Sequence, residues 1–158
     1  ALKLQPSFIQ AYVNLADLYR MQGRDEEGEP LLREALKISP QNADVYHALG
    51  LLLVRKKQIS EAVEALEKSA RLNPNNPHYS YVYAVALNNV GKTSQALKVL
   101  NEAHARHPND REVLYALVYF NRDKGNLDAA RRYAEKLIEL SPNDPRVRSL
   151  VNELQKKE

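Results

Sequence analysis

The sequence predicts an all-α fold, a solenoid of stacked helical hairpins. Five prolines, Pro6, Pro40, Pro74, Pro108 and Pro142, recur at one constant interval along the chain. Within each interval, apolar residues recur at helical spacing in two successive sets. A fixed interval of this length is typical of repeat proteins, in which each repeat is one supersecondary unit that packs on its neighbours. The chain is therefore expected to form an array instead of one central core.

Composition agrees with an array and narrows the function classes. The 5 glycines and 8 prolines fall largely in register with the repeat. The absence of cysteine excludes a disulfide framework and a thiolate metal site. The net charge of +3 is small and spread out, so it indicates neither nucleic acid nor a membrane as partner. No apolar run reaches the roughly 18 residues of a membrane span, and the compartment, cytoplasmic or bacterial periplasmic, stays open.

The residues around each proline end one helix and begin the next. Proline lacks an amide hydrogen and disfavours helical angles in the residue before it, so the incoming helix stops. Two residues after each of the last four prolines, a side-chain oxygen can accept a hydrogen bond from the free amides of the next helix. These predicted capping residues are Asn42, Asn76, Asp110 and Asp144.

The pattern predicts nine helices, with close crossings at small residues on the first helix of each hairpin. The crossing positions are Ala16, Gly50, Ala84 and Val118. On the first helix of the first hairpin, the face carrying Tyr12, Leu15, Ala16 and Tyr19 is expected to be buried. The predicted helices span residues 8–22, 25–38, 43–56, 59–72, 77–90, 93–106, 111–124, 127–140 and 145–156.

These hairpins resemble tetratricopeptide repeats. The first repeat matches the family pattern with Tyr12-Leu15-Ala16-Tyr19, then Leu32, Ala35 and Pro40, and departs from it at Gly28, where the family has alanine. The resemblance covers residues 9–144 and implies a right-handed α-solenoid, the TPR superhelix. The predicted organisation is the end of a truncated preceding repeat at 1–8, repeats at 9–42, 43–76, 77–110 and 111–144, and a capping helix at 145–158.

The resemblance also implies a non-catalytic protein-interaction module that binds a peptide or helix of a partner protein in its concave groove. That groove is lined by the first helix of each hairpin. Its predicted residues are Val13, Asp17, His47, Leu51, His78, Tyr81, Val85, Asn88, Asn89, Tyr115, Tyr119 and Arg122. The main alternative is a structural domain that packs on another part of its parent protein, or on a second copy through the truncated N-terminal end, where the apolar surface of the first hairpin is expected to be partly uncovered. No cofactor, nucleic acid or membrane is expected.

Other candidate sites are weaker. The run Gly91-Lys92-Thr93 fits a relaxed phosphate-loop pattern, but Gly91 falls at the same repeat position as Gly23 and Gly125, which indicates a turn between helices. His104 and His107 have a spacing that a metal could bridge, yet no third ligand is evident, and a cationic histidine suits a helix C-terminus. Asn121 is interpreted as a polar group that faces the following turn.

The family's clamp for chaperone tails needs lysine, asparagine and arginine at fixed places on the first helices. Those places hold Val13, Asp17, Ala48, His78 and Val82 in this chain. A co-chaperone role is therefore not expected.

Overall fold

The computed structural model describes the backbone of residues 6–155 and the side chains of residues 8–155. Within this range it contains nine α-helices and no β-strand, as the periodicity predicts. Every predicted boundary lies within two residues of the observed one. The helices are α1 (Pro6–Met21), α2 (Asp25–Ile38), α3 (Ala43–Arg55), α4 (Ile59–Leu72), α5 (Pro77–Asn89), α6 (Thr93–Arg106), α7 (Arg111–Asp123), α8 (Leu127–Leu140) and α9 (Pro145–Gln155).

The helices form two compact units, Ala1–Pro74 and Asn75–Glu158. In the first unit, α1 pairs with α2 and α3 with α4, while α3 also packs on α1 and α2. In the second unit, α5 pairs with α6 and α7 with α8, while α7 packs on α5 and α6 and α9 packs on α8. Each unit thus buries the apolar faces of consecutive hairpins against each other.

All four predicted capping residues begin a helix. Their side-chain oxygens accept hydrogen bonds of 2.9–3.1 Å from backbone amides in the first turns of α3, α5, α7 and α9. The four residues are Asn42, Asn76, Asp110 and Asp144. Since these amides have no partner inside the helix, the caps explain why each first helix starts directly after its proline.

The turn inside each hairpin uses a left-handed residue. Gly23, Gly91 and Gly125 have φ angles of +72°, +80° and +83°, and the equivalent place in the second hairpin is Lys57, with φ of +60°. A residue with a Cβ atom pays a steric cost in this conformation that glycine avoids. The repeat geometry therefore forces Lys57 into an unfavourable backbone conformation.

Of the helix crossings predicted at small residues, the one at Gly50 is confirmed by a direct close approach, and all four predicted residues are buried. Ala16, Gly50, Ala84 and Val118 are all buried. A Cβ atom added to Gly50 would lie 2.6 Å from the Leu66 side chain on α4, which shows how closely α3 and α4 approach. Such a distance is far shorter than an ordinary carbon–carbon contact.

The buried face predicted for α1 is partly wrong. Ala16 is buried and Tyr12 is half-buried, but Leu15 is 40% exposed, whereas Val13, placed by the sequence on the opposite face, is only 6% exposed. The reason is that α1 packs on α2 and α3, and Val13 belongs to the core that these helices share. On the described part of the chain, no helix covers the side that carries Leu15.

The N-terminal boundary also needs a correction. Residues 1–5 of the predicted truncated repeat at 1–8 lie outside the described residues, while residues 6–8 belong to α1. Phe8 packs edge-on against the ring of Tyr12, four residues later on the same helix, with 5.3 Å between centroids. On α1, Phe8, Leu15 and Leu18 are exposed.

The last helix of the described range, α9, packs on α8. Val147, Leu150 and Leu154 are buried against the α7–α8 hairpin, and Val151 is half-buried. The last three residues of the predicted capping segment, 156–158, lie outside the described range. Among the described helices, none combines the length and the apolar content needed to cross a membrane.

Candidate functional site

The first helix of each hairpin carries the predicted groove residues, and each unit presents its own set. In the first unit these residues are Val13 and Asp17 on α1 and His47 and Leu51 on α3. Val13 is a core residue, so its assignment to the groove is wrong. Asp17 forms an ion pair with Arg20 at 3.2 Å, and His47 and Leu51 are half-buried.

In the second unit, α5 and α7 present an aromatic and apolar patch. Tyr81 and Val85 on α5 are half-buried, and so is Tyr115 on α7. Tyr119, also on α7, is 38% exposed, and its ring stacks on that of Tyr115 with 6.4 Å between centroids. Since α5 packs beside α7, these residues lie on adjacent helices at equivalent repeat positions. We call Tyr81, Val85, Tyr115 and Tyr119 the tyrosine patch.

Polar or charged contacts border both ends of the tyrosine patch. At the N-terminal ends of α5 and α7, His78 Nδ1 lies 2.8 Å from Glu112 Oε2. At the other end, the Arg122 guanidinium lies 4.9 Å from the centre of the Tyr119 ring. That guanidinium also donates to Asp123 at 2.8 Å and to Glu153 on α9 at 3.4 Å. Because these charges are paired, the patch has apolar and aromatic character at its centre and little unbalanced charge at its rim.

The two asparagines predicted to bind a partner's backbone differ in their surroundings. Asn88 Oδ1 accepts a hydrogen bond of 2.8 Å from the Thr93 hydroxyl at the start of α6. This side chain thus turns towards the α5–α6 connection and helps to fix it. Asn89 is exposed. Of the two side chains, Asn89 is better placed to meet a partner.

Tyr115 has a structural role as well. Its hydroxyl oxygen is buried and makes no hydrogen bond of good geometry, but it lies close enough to Arg111 to raise the pKa of that guanidinium. Asp144 raises the pKa of Arg111 further and accepts from it at 2.9 Å. Arg146 and its backbone amide, aided by Arg111, lower the pKa of Asp144 to about 2. Tyr115 therefore belongs partly to the contact between α7 and the start of α9.

Sequence reasoning missed the contribution of α9 to this rim. Glu153 lies one repeat interval after Tyr119, and Arg146 lies one repeat interval after Glu112. The repeat pattern continues into α9. Aligning α9 with the first helices of the four hairpins would therefore have identified Arg146 and Glu153 from the sequence. Arg146 donates to Asp144 through its backbone amide at 2.9 Å and through its guanidinium.

The other candidate sites have structural explanations. Gly91 lies between α5 and α6 in the left-handed conformation, so the phosphate-loop-like run is a hairpin turn, as the repeat position predicts. Asn121 is buried, donates to the Leu117 carbonyl at 2.8 Å and accepts from Asn126 in the following turn at 3.3 Å, which confirms its interpretation as a turn-facing polar group.

The histidines on α6 and beside it form no evident metal site. His104 packs edge-on against the Tyr133 ring at 5.4 Å, and its pKa is lowered by burial and then by Lys136. Both effects disfavour the cationic form that its position near a helix end would otherwise suit. In the described range, no group of three or more histidine, aspartate or glutamate side chains is placed to hold a metal ion.

Comparison with known proteins agrees with this architecture. A family model described as the cytochrome c-type biogenesis protein H TPR domain matches residues 29–147, and a tetratricopeptide repeat model matches residues 8–39. None of the curated proteins compared with the chain matches it.

Several solved structures share the fold. PilF of Pseudomonas aeruginosa is 26% identical with a TM-score of 0.80, covering 94% of this chain and 68% of PilF. MamA of Desulfovibrio magneticus RS-1 is 21% identical with a TM-score of 0.77, covering 94% and 84% of the two chains. YrrB, described as a TPR protein with an unusual peptide-binding site, is 23% identical with a TM-score of 0.74, covering 92% and 75%.

Proposed function

Because the chain belongs to the family of cytochrome c-type biogenesis protein H TPR domains, we propose that it is a non-catalytic scaffold that binds a peptide or helix of a partner protein. Tetratricopeptide repeat domains in general serve protein–protein interaction. The proposed binding surface is the tyrosine patch of the second unit. The observation that supports it is the grouping of Tyr81, Val85, Tyr115 and Tyr119 on the adjacent helices α5 and α7.

The chemistry of the tyrosine patch defines the kind of partner. Tyrosine supplies a large apolar contact area at a low cost in side-chain entropy, which is why it is common among the residues that dominate binding. At the rim, the Glu112 carboxylate and the Arg122 guanidinium already have polar partners, so a binding partner with strong net charge would gain little from them. A segment with two or three apolar side chains and polar flanks fits this surface best.

The proposal is tested by selecting binders and mapping their dependence on the patch. A random peptide library displayed on phage is selected against the 158-residue chain. Enriched peptides are then titrated against wild type and against Tyr81→Ala combined with Tyr119→Ala. Tyr119 is chosen for substitution and Tyr115 is left intact, because the Tyr115 hydroxyl is buried and its loss would disturb the start of α9.

Removal of two anchoring aromatic side chains is expected to cost at least about 2 kcal/mol of binding free energy, or about 30-fold in affinity. The matched control is Lys98→Ala with Glu102→Ala, two exposed positions on α6. This control is expected to bind as wild type does. Equal affinity of the tyrosine variant and wild type, or failure of the selection to enrich any peptide, contradicts the proposal.

The family match supports a second, more specific proposal, namely that the partner is a component of cytochrome c assembly. The observation is the match of the cytochrome c-type biogenesis model to residues 29–147. Replacing the native segment in the source organism by the Tyr81→Ala, Tyr119→Ala variant should lower the content of haem-stained c-type cytochromes. Unchanged cytochrome content, with the variant present at the wild-type level, contradicts this role.

A further inference from the structure

The edge of the tyrosine patch that faces α9 differs from the two ends of the patch. At this edge two arginines hold one carboxylate, where α7 and α9 begin. Arg111 donates to Asp144 at 2.9 Å, and Arg146 donates to the same carboxylate at 3.2 and 3.3 Å. Two guanidinium charges and one carboxylate charge leave an excess of one positive charge. We call Arg111, Asp144 and Arg146 the arginine edge.

The carboxylate of the arginine edge is covered, whereas both guanidiniums reach solvent. The side chain of Asp144 is 13% exposed, while those of Arg111 and Arg146 are 45% and 80% exposed. The hydrogen bonds to Asp144 use one N–H donor of Arg111 and two of Arg146. Because a guanidinium has more donors than these contacts use, both arginines keep N–H groups that a ligand can reach. A further carboxylate would also balance the excess charge.

The arginine edge is continuous with the tyrosine patch. Arg111 lies one turn before Tyr115 on α7, close enough for that hydroxyl to raise the pKa of the guanidinium. The pKa of Arg146 is raised chiefly by Asp144. Tyr115 and Tyr119 raise it further, so this guanidinium lies near both rings, which stack on each other. A segment that covers the two rings can therefore place a side chain against the two guanidiniums.

The repeat pattern places Arg146 in one row with residues at the border of the tyrosine patch. Arg146 lies one repeat interval after Glu112 and two after His78. The distance of 2.8 Å between His78 Nδ1 and Glu112 Oε2 shows that residues of this row meet across neighbouring helices. Neither Arg111 nor Arg146 stands at a place of the family's clamp for chaperone tails. The arginine edge is therefore a separate feature of this surface.

We propose that the segment bound by the tyrosine patch carries an acidic side chain, aspartate or glutamate, next to its apolar side chains, and that the arginine edge binds this carboxylate. The proposal rests on the proposed function, since it adds a charged contact to the same binding surface. A guanidinium matches a carboxylate in geometry as well as in charge. Because the excess is one positive charge, a single carboxylate balances it, whereas a phosphate group would bring more negative charge than the arginine edge neutralises.

Two libraries of short random peptides displayed on phage test the proposal. One library has a fixed glutamate at its central position and the other a fixed glutamine, and both are selected against the 158-residue chain. The glutamate library should yield the tighter binders. Changing the fixed glutamate of an enriched peptide to glutamine should weaken its binding to the wild-type chain about 5-fold, the size of one favourable exposed ion pair. This difference should shrink as the salt concentration rises.

Arg146→Gln should remove most of the difference in affinity between the glutamate and glutamine peptides. The matched control is Arg148→Gln, an exposed position two residues later on α9. Its guanidinium donates to the Pro142 carbonyl at 2.8 Å and to Asn143 at 3.2 Å, not to the arginine edge. Both variants lower the net charge equally, so a difference between them isolates the local contact. Circular dichroism melting checks that both variants stay folded, and the comparison of the two peptides on the wild-type chain needs no variant.

The outcomes separate this proposal from the proposed function. If neither library enriches a binder, or if the enriched peptides bind the Tyr81→Ala, Tyr119→Ala variant as they bind wild type, both fail. If binding depends on these tyrosines but the glutamate and glutamine peptides bind equally well, the proposed function stands and the acidic contact is overturned. A glutamate preference that survives in Arg146→Gln but is lost in Arg148→Gln also overturns it.

Discussion

The replacement of Gly50 by alanine tests the packing between α3 and α4. In a helix interior this change ordinarily stabilises a protein by about 1 kcal/mol. Here the new Cβ atom would lie 2.6 Å from both Cγ and Cδ2 of Leu66, which is only 1% exposed and cannot move into solvent. Overpacking of this kind costs up to about 3 kcal/mol. The net loss is therefore up to about 2 kcal/mol, or a Tm lower by up to about 8 °C in a chain of this length.

Circular dichroism melting of three variants separates the clash from a general effect of glycine. Gly28→Ala is the matched control, since its Cβ atom would meet Leu52 Cδ1 at 3.0 Å and should change the free energy of unfolding by less than about 1 kcal/mol. In a Leu66→Ala background, the Gly50→Ala change should no longer destabilise, because the two sites are coupled through one contact. A Gly50→Ala variant that melts at or above the wild-type temperature refutes the reasoning.

Two further predictions concern the turns and caps. Lys57→Gly should raise the free energy of unfolding by about 0.5–1 kcal/mol in a urea titration, because it relieves the positive φ angle, and Gly91→Ala should lower it by a similar amount. Asp144 has a pKa depressed to about 2 from an ordinary 3.8, so its contribution to stability is complete above about pH 4 and is lost as the pH falls towards 2. The Tm difference between wild type and Asp144→Asn should accordingly be largest near neutral pH and should shrink below pH 4, and a difference independent of pH would show that the carboxylate charge contributes nothing.

Local signals explain why the helices were predictable. Each hairpin is defined by three local features of the sequence. These are a proline, a capping side chain two residues later, and a turn residue about one helix length after the cap. The hydrogen bonds of Asn42 and Asp110 confirm that the capping chemistry acts where the sequence places it. Lys57 shows where the residue type alone is not enough. Its left-handed φ angle follows from its position in the repeat, which glycine occupies in the other three hairpins, and lysine itself gives no sign of it.

The orientation of α1 was not predictable in the same way. Helical periodicity shows that α1 has two apolar faces, but which of them is buried depends on the helices that pack against it. Val13 is buried because α3 lies beside it, and Leu15 is exposed because no described helix covers its side. The partial burial of Tyr115 likewise depends on the core that α7 shares with α8 and α9, which no local pattern reveals.

The central claim, that the tyrosine patch binds a partner peptide, is tested most directly by mapping a selected peptide onto the chain by NMR. The account predicts that titration shifts the amide signals of Tyr81, Val85, Tyr115 and Tyr119 most strongly, and that these shifts disappear in the Tyr81→Ala, Tyr119→Ala variant while the remaining spectrum stays dispersed. Shifts concentrated on α6 and α8 instead, or unchanged in the variant, would contradict it.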